Sequence, residues 1–466
     1  MIMSASTSPS PAFHEAVKQL LRDLGQTLPS GWESMQMVRE MNASASSPAL
    51  ALLEEAMTQL EARRPRQARL LRQRYWQDLS IQALMTKHHR SKSSIHRDLR
   101  AAQDALATIL WEREQRARER FIREQYQRLE APTYDRLFGV DALIAQLREL
   151  ILAEDGPALI LLTGMGGMGK TSVADRLSRL LIDERAFAGF GWISLRPQVS
   201  LWDNRPYFQA ASQQEAVTMI FEALAIQLLG AGAIPFPFSL TELLARLQTH
   251  LHQAPHFIVI DNLETLPDIR PILTQINTLA RPTRFLITSR RRPFDIPDLH
   301  VQSIPSLHRE AARALLRHEG HKRNILALQI AEDEQLDRIW QQVGGNPLAL
   351  RLVAGQLHVH SLPDVLAHLT QGRQMHQLFD YIYRQAWAGL DGLARRVLIA
   401  MSLLPPHGGG VAQIATITEL PPASIRDALE TLIQVNLVDI RVGPEGARYT
   451  IHGLTRAFLH HIAAWS

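Results

Sequence analysis

Eight residues, Gly164 to Thr171 (GMGGMGKT), include the residue types that bind phosphate. Four glycines let the backbone turn so that several N–H groups point inward, and the final lysine and threonine supply a cation and a hydroxyl. The run fits GxxxxGK[ST] and lies between an apolar stretch and a helical pattern, as this motif requires. The helix that follows adds the positive end of its dipole. The sequence therefore predicts a phosphate-binding loop.

We expect this loop to bind ATP or ADP together with Mg²⁺. The predicted nucleotide-binding residues, in the loop and directly after it, are Gly164, Gly166, Gly167, Gly169, Lys170, Thr171 and Ser172. Lys170 is expected to reach the β- and γ-phosphates, and the Thr171 hydroxyl to ligate the metal.

Two other charged residues stand at the ends of apolar runs. Asp261 ends HFIVID and is expected to hold the Mg²⁺ of Thr171 through water, from a strand beside the one that precedes the loop. Asn262 follows where many vigorous ATPases carry a second acid, so we expect slow turnover. Arg290 follows RFLITS and is predicted to sense the γ-phosphate, or else belongs to a solvated basic turn. Lys170, Asp261 and Arg290 are the predicted catalytic residues.

A parallel sheet is needed to bring these residues together. The runs at 158–164, 190–195, 256–261 and 284–289 are short, unbroken and apolar, which is typical of strands buried on both faces. Helical patterns lie between them. This alternation predicts a doubly wound α/β domain over 133–300.

The rest of the chain reads as helical, so the predicted fold class is α/β plus α. Residues 301–374 suggest an all-helical domain. Residues 375–466 read as helices, a strand–turn–strand hairpin and a final helix, the order of a winged helix. At the other end, 1–47 suggest a disordered or short helical segment and 48–130 a helical domain.

A helix-turn-helix pattern lies in the N-terminal helical domain, with Ser80 and Ser91 placed to cap its second and third helices. Ile95 and Leu99 would face inward. The residues predicted to meet DNA are Lys92, Ser93, Ser94, His96, Arg97 and Arg100. Residues 61–128 hold 17 Lys and Arg against 8 Asp and Glu, which favours an anionic partner. An adaptor that binds protein through the same scaffold is the alternative.

The composition excludes several classes of site. The chain has no cysteine, so disulfides, thiolate metal sites and cysteine nucleophiles are absent. We find neither a secretory signal nor an apolar run long enough for a membrane helix. We therefore expect a cytoplasmic protein with no membrane segment.

The ordered motifs over 133–466 resemble those of the NB-ARC branch of the STAND ATPases. Besides the loop, Asp261 and Arg290, they include the WISL strand around Trp192 and the run GNPLAL at 345–350, which is similar to the family's GLPLAL element. Residues 66–110 separately resemble region four of sigma factors.

The NB-ARC resemblance implies further nucleotide contacts. Pro347 would pack on the base, Gly139 would lie on the adenine side, and His452 would occupy the histidine position of the MHD motif and touch the β-phosphate of ADP. Two positions depart from the family pattern, since Val140 replaces an arginine and Gly453 replaces the MHD aspartate.

The resemblance also implies a mechanism. ADP would hold the α/β domain and the winged helix together, and ATP would favour an open form that self-oligomerises. Assembly would cluster the N-terminal domain for transcription control or defence, with slow hydrolysis as the reset. The expected partners are further copies of the chain, DNA or an effector protein at residues 61–128, and a separate sensor protein. An ATP-consuming helper of DNA remodelling or transposition, and a scaffold that holds ADP permanently, are the alternatives.

Overall fold

The computed structural model describes residues 8–41, 47–164, 166–195, 213–233, 239–266, 268–289, 298–343, 345–370, 387–405, 408–434, 437–443, 446–451, 455 and 459. The chain divides into two compact units, Met1–Tyr126 and Gln127–Ser466. Among the described residues, the first unit contains one hydrophobic core and the second contains two. No helix within the described ranges is long and apolar enough to cross a membrane.

The described part of the N-terminal unit is helical. Its helices are α1 (Pro11–Arg22), α2 (Gln36–Arg39), α3 (Pro48–Arg63), α4 (Pro65–Leu71), α5 (Ile81–His88) and α6 (Lys92–Arg128). Helices α1 and α3 both begin with a capping serine followed by proline. The serine hydroxyl satisfies a free backbone N–H, and the proline φ suits the first helical turn.

A buried carboxylate joins the first forty residues to the long helix α6. Glu114 is fully buried, accepts backbone N–H bonds from Gln36 and Met37, and pairs with Arg118. The apolar side chains of α1, α3 and α6 form a single core. This core therefore includes residues on both sides of the boundary expected at residue 47.

A short turn joins α5 to α6. Ser80 caps α5 by accepting an N–H bond from Ala83 (3.1 Å). His89 ends α5 in the left-handed conformation (φ 52°), at a position where helices commonly carry glycine. Ile95 and Leu99 on α6 are buried, as the sequence predicts.

The C-terminal unit begins with a five-stranded sheet whose neighbouring strands all run parallel. The strands are β1 (Leu159–Thr163), β2 (Gly189–Ser194), β3 (His256–Asp261), β4 (Arg284–Ser289) and β5 (Leu299–Ser303), in the order β2-β3-β4-β1-β5. The four predicted strands are confirmed as β1 to β4. Each is almost entirely buried, because helices cover the sheet.

Helix α7 (Asp141–Leu152) precedes β1, and the helices between the strands are α8 (Lys170–Glu184), α9 (Gln213–Leu229), α10 (Leu240–Gln253) and α11 (Arg270–Leu279). Helices α9, α10 and α11 share a core with the strands. Helix α8 packs against β3 and β4.

The sheet order corrects one expectation. We expected the strand that ends in Asp261 to lie beside the strand that precedes the phosphate-binding loop, but β4 lies between them. Asp261 still reaches the loop because α8 crosses from the end of β1 to pack over β4 and β3. Strand β5, whose partly exposed residues LHVQS form an edge strand, was not predicted from the sequence.

Helices and one hairpin make up the rest of the second unit. The helices are α12 (Arg309–Lys322), α13 (Leu326–Ile330), α14 (Asp333–Val343), α15 (Pro347–Gln356), α16 (Leu362–Thr370), α17 (Gly392–Ser402), α18 (Val411–Thr418) and α19 (Pro422–Gln434). Strands β6 (Asp439–Gly443) and β7 (Gly446–Thr450) form the predicted antiparallel hairpin. Buried side chains from all eight helices form one hydrophobic core, whose residues run from Leu307 to Leu459. Most of the predicted final helix lies outside the described residues.

His256 makes the stability of the sheet depend on pH. Its ring is buried at the start of β3, and burial lowers the pKa of His256 from 6.5 to about 4. Below pH 6.5 the unfolded chain binds a proton that the folded chain excludes, so stability present at pH 7 is lost as the pH falls. We expect a loss of about 2 kcal/mol between pH 7 and pH 5 from this group.

Urea unfolding of the full chain, followed by circular dichroism at both pH values, measures this dependence. His256→Gln should lower the free energy of unfolding at pH 7 but weaken its fall with pH. His252→Gln, at an exposed histidine in the same region, should retain the wild-type dependence. An unchanged pH dependence in His256→Gln would contradict the assignment.

Candidate functional site

The glycine-rich loop connects β1 to α8 and has the backbone that its sequence predicts. Gly167 and Gly169 have φ values of 79° and 87°, in the left-handed region that favours glycine. Lys170 is the first residue of α8, and its buried ammonium group donates to the carbonyl oxygen of Gly164 (2.8 Å). The lysine therefore lies across the loop, where a phosphate group would find both the cation and the helix N-terminus.

A buried carboxylate lies beside the start of α8. Asp261 is the last residue of β3 and has no exposed surface. The hydroxyl groups of Thr171 (2.8 Å) and Thr288 (2.7 Å) both donate to its Oδ1 atom. A carboxylate and a hydroxyl are the hard oxygen ligands that Mg²⁺ prefers, so this pair fits the metal that a bound nucleotide would bring. Mg²⁺ would neutralise phosphate charge there.

The N-terminus of α15 borders the loop on another side. Pro347 begins this helix, and the preceding Asn346 donates from its amide to the carbonyl oxygen of Gly166 (2.9 Å). Leu307, just before α12, donates its backbone N–H to Gly345 (2.9 Å). The helical region from α12 to α15 is therefore in direct contact with the phosphate-binding loop.

Gly139 lies on the same helical region. Its φ is 64°, and a Cβ atom there would come within 2.7 Å of the Ala311 Cβ and 3.2 Å of Leu307. Glycine is required both by the backbone conformation and by this close approach. Leu307 therefore lies against both Gly139 and Gly345. Gly139 and the GNPLAL run, which were both predicted to lie near the adenine base of the nucleotide, are thus close together in the fold.

Tyr134 and Asp135 fasten the segment before Gly139 to two helices. Tyr134 donates its hydroxyl to Asp175 on α8 (2.7 Å), and burial together with this carboxylate raises the pKa of Tyr134. Asp135 contacts His318 and Lys322 on α12, each at 3.2 Å. Partial burial opposes ionisation of Asp135, but these partners outweigh it and lower its pKa from 3.8 to about 2. The segment therefore connects α8 to α12.

Not every predicted site residue can be located. Arg290 and His452 lie outside the described residues. Ser172 lies in the first turn of α8 and is partly exposed. Among the described residues, the structure brings together the loop, Asp261 and the residues that lead into α15.

The predicted DNA-contacting residues lie in the first turns of α6. Lys92, Ser93, His96, Arg97 and Arg100 are exposed, and Ser94 is partly exposed. In the portion of the chain that the structure describes, Lys92, Arg97 and Arg100 form no ion pair. This helix end therefore presents three uncompensated cationic side chains to solvent.

Two residues that organise the loop were not predicted from the sequence. Thr288 supports Asp261 from β4, and Asn346 contacts Gly166 over a separation of 180 residues. Thr288 could have been noticed as a polar residue within an apolar strand run. Asn346 lies in the GNPLAL run, beside the residue expected to contact the base, but its own bond to the loop follows only from the fold.

Comparison with known proteins agrees with the site. Residues 153–291 match the family model of the AAA domain. With the parallel sheet and the glycine-rich loop, this match defines a P-loop ATPase domain. A probable disease resistance RPP8-like protein of Arabidopsis thaliana is 30% identical over 118 residues, covering 23% of this chain and 13% of that protein.

Two other similar proteins are larger than this chain. An uncharacterized WD repeat-containing protein of Nostoc is 22% identical over 339 residues, covering 67% of this chain and 26% of that protein. A STAND protein with a tetratricopeptide repeat sensor from Pyrococcus horikoshii has 15% identity and a TM-score of 0.46, covering 71% of this chain and 43% of that one. The chain thus spans about a quarter or less of the length of the curated relatives.

Asp261→Asn should remove the contribution of Mg²⁺ to ATP binding. The asparagine oxygen can still accept the Thr171 and Thr288 hydrogen bonds, so the fold is expected to persist, but the charge that holds the cation is gone. We expect the Mg²⁺-dependent part of the ATP affinity to fall by about tenfold or more. Titrations with a fluorescent ATP analogue, one in Mg²⁺ and one in EDTA, give the ratio of affinities that measures this Mg²⁺ dependence.

Asp155→Asn makes the same change at an exposed position and serves as the control. It should bind as the wild type does. If Asp261→Asn kept the full response to Mg²⁺, Asp261 would not belong to the metal site.

Proposed function

We propose that this chain is a STAND-type molecular switch that exchanges ADP for ATP, opens and self-oligomerises. The observation that carries the proposal is the direct contact between the phosphate-binding loop and the helical region that begins at α12. A phosphate group in the loop alters a surface on which another part of the chain is packed. The ordered motifs and the similarity to a disease resistance protein support the same class.

The switch needs two states that bind different nucleotides. In the ADP state, Pro347 lies against the base and His452 against the β-phosphate. ADP thereby holds the C-terminal region, residues 375–466, against the ATPase domain. In the ATP state, Arg290 detects the γ-phosphate. To move the equilibrium from 1:99 to 99:1, the nucleotides must differ by about 5.5 kcal/mol in their preference for the two states. Mg²⁺ and several charged contacts are of the right kind to supply this difference.

Hydrolysis acts as a slow reset in this scheme. Asn262 supplies no carboxylate for activating water, and its backbone N–H is bound by Thr288 (2.9 Å). Glu264, two residues later, is the next acid along the chain. Positioning of the phosphates by Lys170 and the loop amides remains, so the chain retains the means to bind ATP and to hydrolyse it slowly.

The segment at Tyr134 and Asp135 gives the switch a route towards the N-terminus. It is attached to α8, which follows the phosphate-binding loop, and to α12, which begins the helical region. Any nucleotide-dependent movement of α12 relative to α8 must break or shift one of these attachments. The residues immediately before this segment lead to the N-terminal unit.

The N-terminal unit is the output domain of the switch, and we assign DNA as its partner. Lys92, Arg97 and Arg100 support this assignment, because uncompensated cations at the start of a helix suit phosphate and base contacts. Assembly would bring several such helices together and raise their combined affinity for DNA. Binding of an effector protein by the same surface is the alternative.

Assembly should depend on the nucleotide and on its sensors. We expect mass photometry of the nucleotide-exchanged wild-type protein to detect monomers with ADP and larger species with a slowly hydrolysed ATP analogue. Lys170→Ala should lose assembly because it binds the nucleotide weakly, and Arg290→Ala because it cannot detect the γ-phosphate.

Arg176→Ala, at an exposed residue of α8, is the matched control and should assemble normally. A wild-type chain that stays monomeric with both nucleotides would contradict assembly triggered by nucleotide alone. Fast steady-state hydrolysis without assembly would instead favour the DNA-remodelling helper.

Arg97→Ala/Arg100→Ala should weaken DNA binding by reducing phosphate contacts. Fluorescence anisotropy with a labelled duplex, across a series of salt concentrations, measures the affinity and its salt dependence. We expect the slope of log K against log salt to decrease by about 2 if both arginines contact phosphates.

Arg116→Ala/Arg123→Ala removes two exposed arginines farther along α6 and should leave the slope near that of the wild type. Equal effects of the two double variants would mean that the charge of the helix acts without a defined site. No effect of either would favour a protein partner.

A further inference from the structure

The side chain of Asn346 connects two elements. Its Oδ1 atom caps α15 by accepting N–H bonds from Leu348 (3.1 Å) and Ala349 (3.2 Å). Its Nδ2 atom donates to the carbonyl oxygen of Gly166 (2.9 Å) and approaches the Met168 sulfur (3.4 Å). Only 2% of the residue is exposed. The acceptor end of the amide is therefore used by the helix and the donor end by the phosphate-binding loop.

A second bond from α15 reaches the next peptide of the loop. The backbone N–H of Leu348 also lies 3.3 Å from the carbonyl oxygen of Gly167. The approach is close, because a Cβ atom on Gly167 would come within 2.7 Å of the Leu348 Cβ and 2.9 Å of the Asn346 Oδ1. Gly167 is therefore needed for this contact as well as for its positive φ.

These bonds determine the direction of two loop amides. In a trans peptide, the C=O of one residue and the N–H of the next point in opposite directions. Since the carbonyls of Gly166 and Gly167 point at α15, the N–H groups of Gly167 and Met168 point away from it. Backbone N–H groups that point the same way form an anion-binding concavity.

We propose that Asn346 is a positioning residue for the nucleotide phosphates. By holding the Gly166 carbonyl outward, it orients the following amides for phosphate binding, and α15 thereby completes a site whose main residues belong to the ATPase domain. The coupling works in both directions, since phosphate bound to these amides stabilises the docked position of α15. This role rests on nucleotide binding by the loop, and it does not require ATP-driven assembly.

Two substitutions separate this role from helix capping. Serine and aspartate are both good N-caps, so Asn346→Ser and Asn346→Asp should keep α15 intact. The serine hydroxyl is too short to cap the helix and reach Gly166 as well. The aspartate places a carboxylate oxygen against the Gly166 carbonyl and adds negative charge near the phosphates.

The test is the affinity of the full chain for Mg-ADP, measured with a fluorescent analogue. Loss of one hydrogen bond should weaken binding about three- to tenfold in Asn346→Ser. Asn346→Asp should weaken it further. Asp391→Ala is the control, because it removes the N-cap of α17, where Asp391 accepts the N–H of Ala394. It should lower the melting temperature and leave the affinity unchanged.

Hydrogen exchange of peptides from α15 provides a readout that a merely structural role would not change. In the wild type, saturating Mg-ADP should slow exchange in α15. In Asn346→Ser at saturating Mg-ADP, this slowing should be lost, because the loop no longer transmits binding to the helix.

Affinities of Asn346→Ser and Asn346→Asp within twofold of the wild type would overturn the proposal and leave Asn346 as a helix cap. The same conclusion would follow if nucleotide slowed exchange in α15 equally in wild type and variant. A wild-type chain that binds no Mg-ADP would overturn the nucleotide site itself, and this role with it.

Discussion

The contact between the N-terminus of α15 and the phosphate-binding loop is the constraint on which the nucleotide site depends. A loop with four glycines has many accessible backbone conformations, and its amides converge only if its carbonyls are held outward. Asn346 and Leu348 supply two of those restraints from a helix 180 residues away. Gly167 allows the helix to approach, because any side chain there would collide with Leu348.

The parallel sheet supplies the other side of the site. Strands β1, β3 and β4 end at the same edge, so the loop, Asp261 and the polar end of β4 meet there although they are far apart in sequence. Asp261 carries two hydroxyl bonds on a single oxygen, which fixes the direction of the carboxylate. The charge needed for Mg²⁺ is thus fully buried yet hydrogen-bonded, as a buried carboxylate must be.

The sequence predicted those parts of the structure that depend on local patterns. The four apolar strands and the phosphate-binding loop are each determined by residues close together in the sequence. The start of α5 is likewise local, because the Ser80 hydroxyl accepts the N–H of Ala83, three residues on. The prediction that β3 lies next to β1 was wrong, because the order of strands depends on the crossover connections, which hydrophobic periodicity does not reveal. β5 was missed because His300 and Gln302 interrupt its apolar pattern at the sheet edge. Thr288 interrupts an apolar run and Asn346 lies in the GNPLAL run, so both positions stand out in the sequence. Their roles could not be assigned, because the partners that define those roles are brought close only by the fold.

A crystal structure of the wild-type chain with Mg-ADP tests most directly whether α15 completes the nucleotide site. We predict that the amide nitrogens of Gly167 and Met168 lie within about 3.2 Å of phosphate oxygens. The Asn346 amide should at the same time still donate to the Gly166 carbonyl. A phosphate bound by the loop while Asn346 has turned away from Gly166 would contradict this arrangement, as would a nucleotide bound elsewhere.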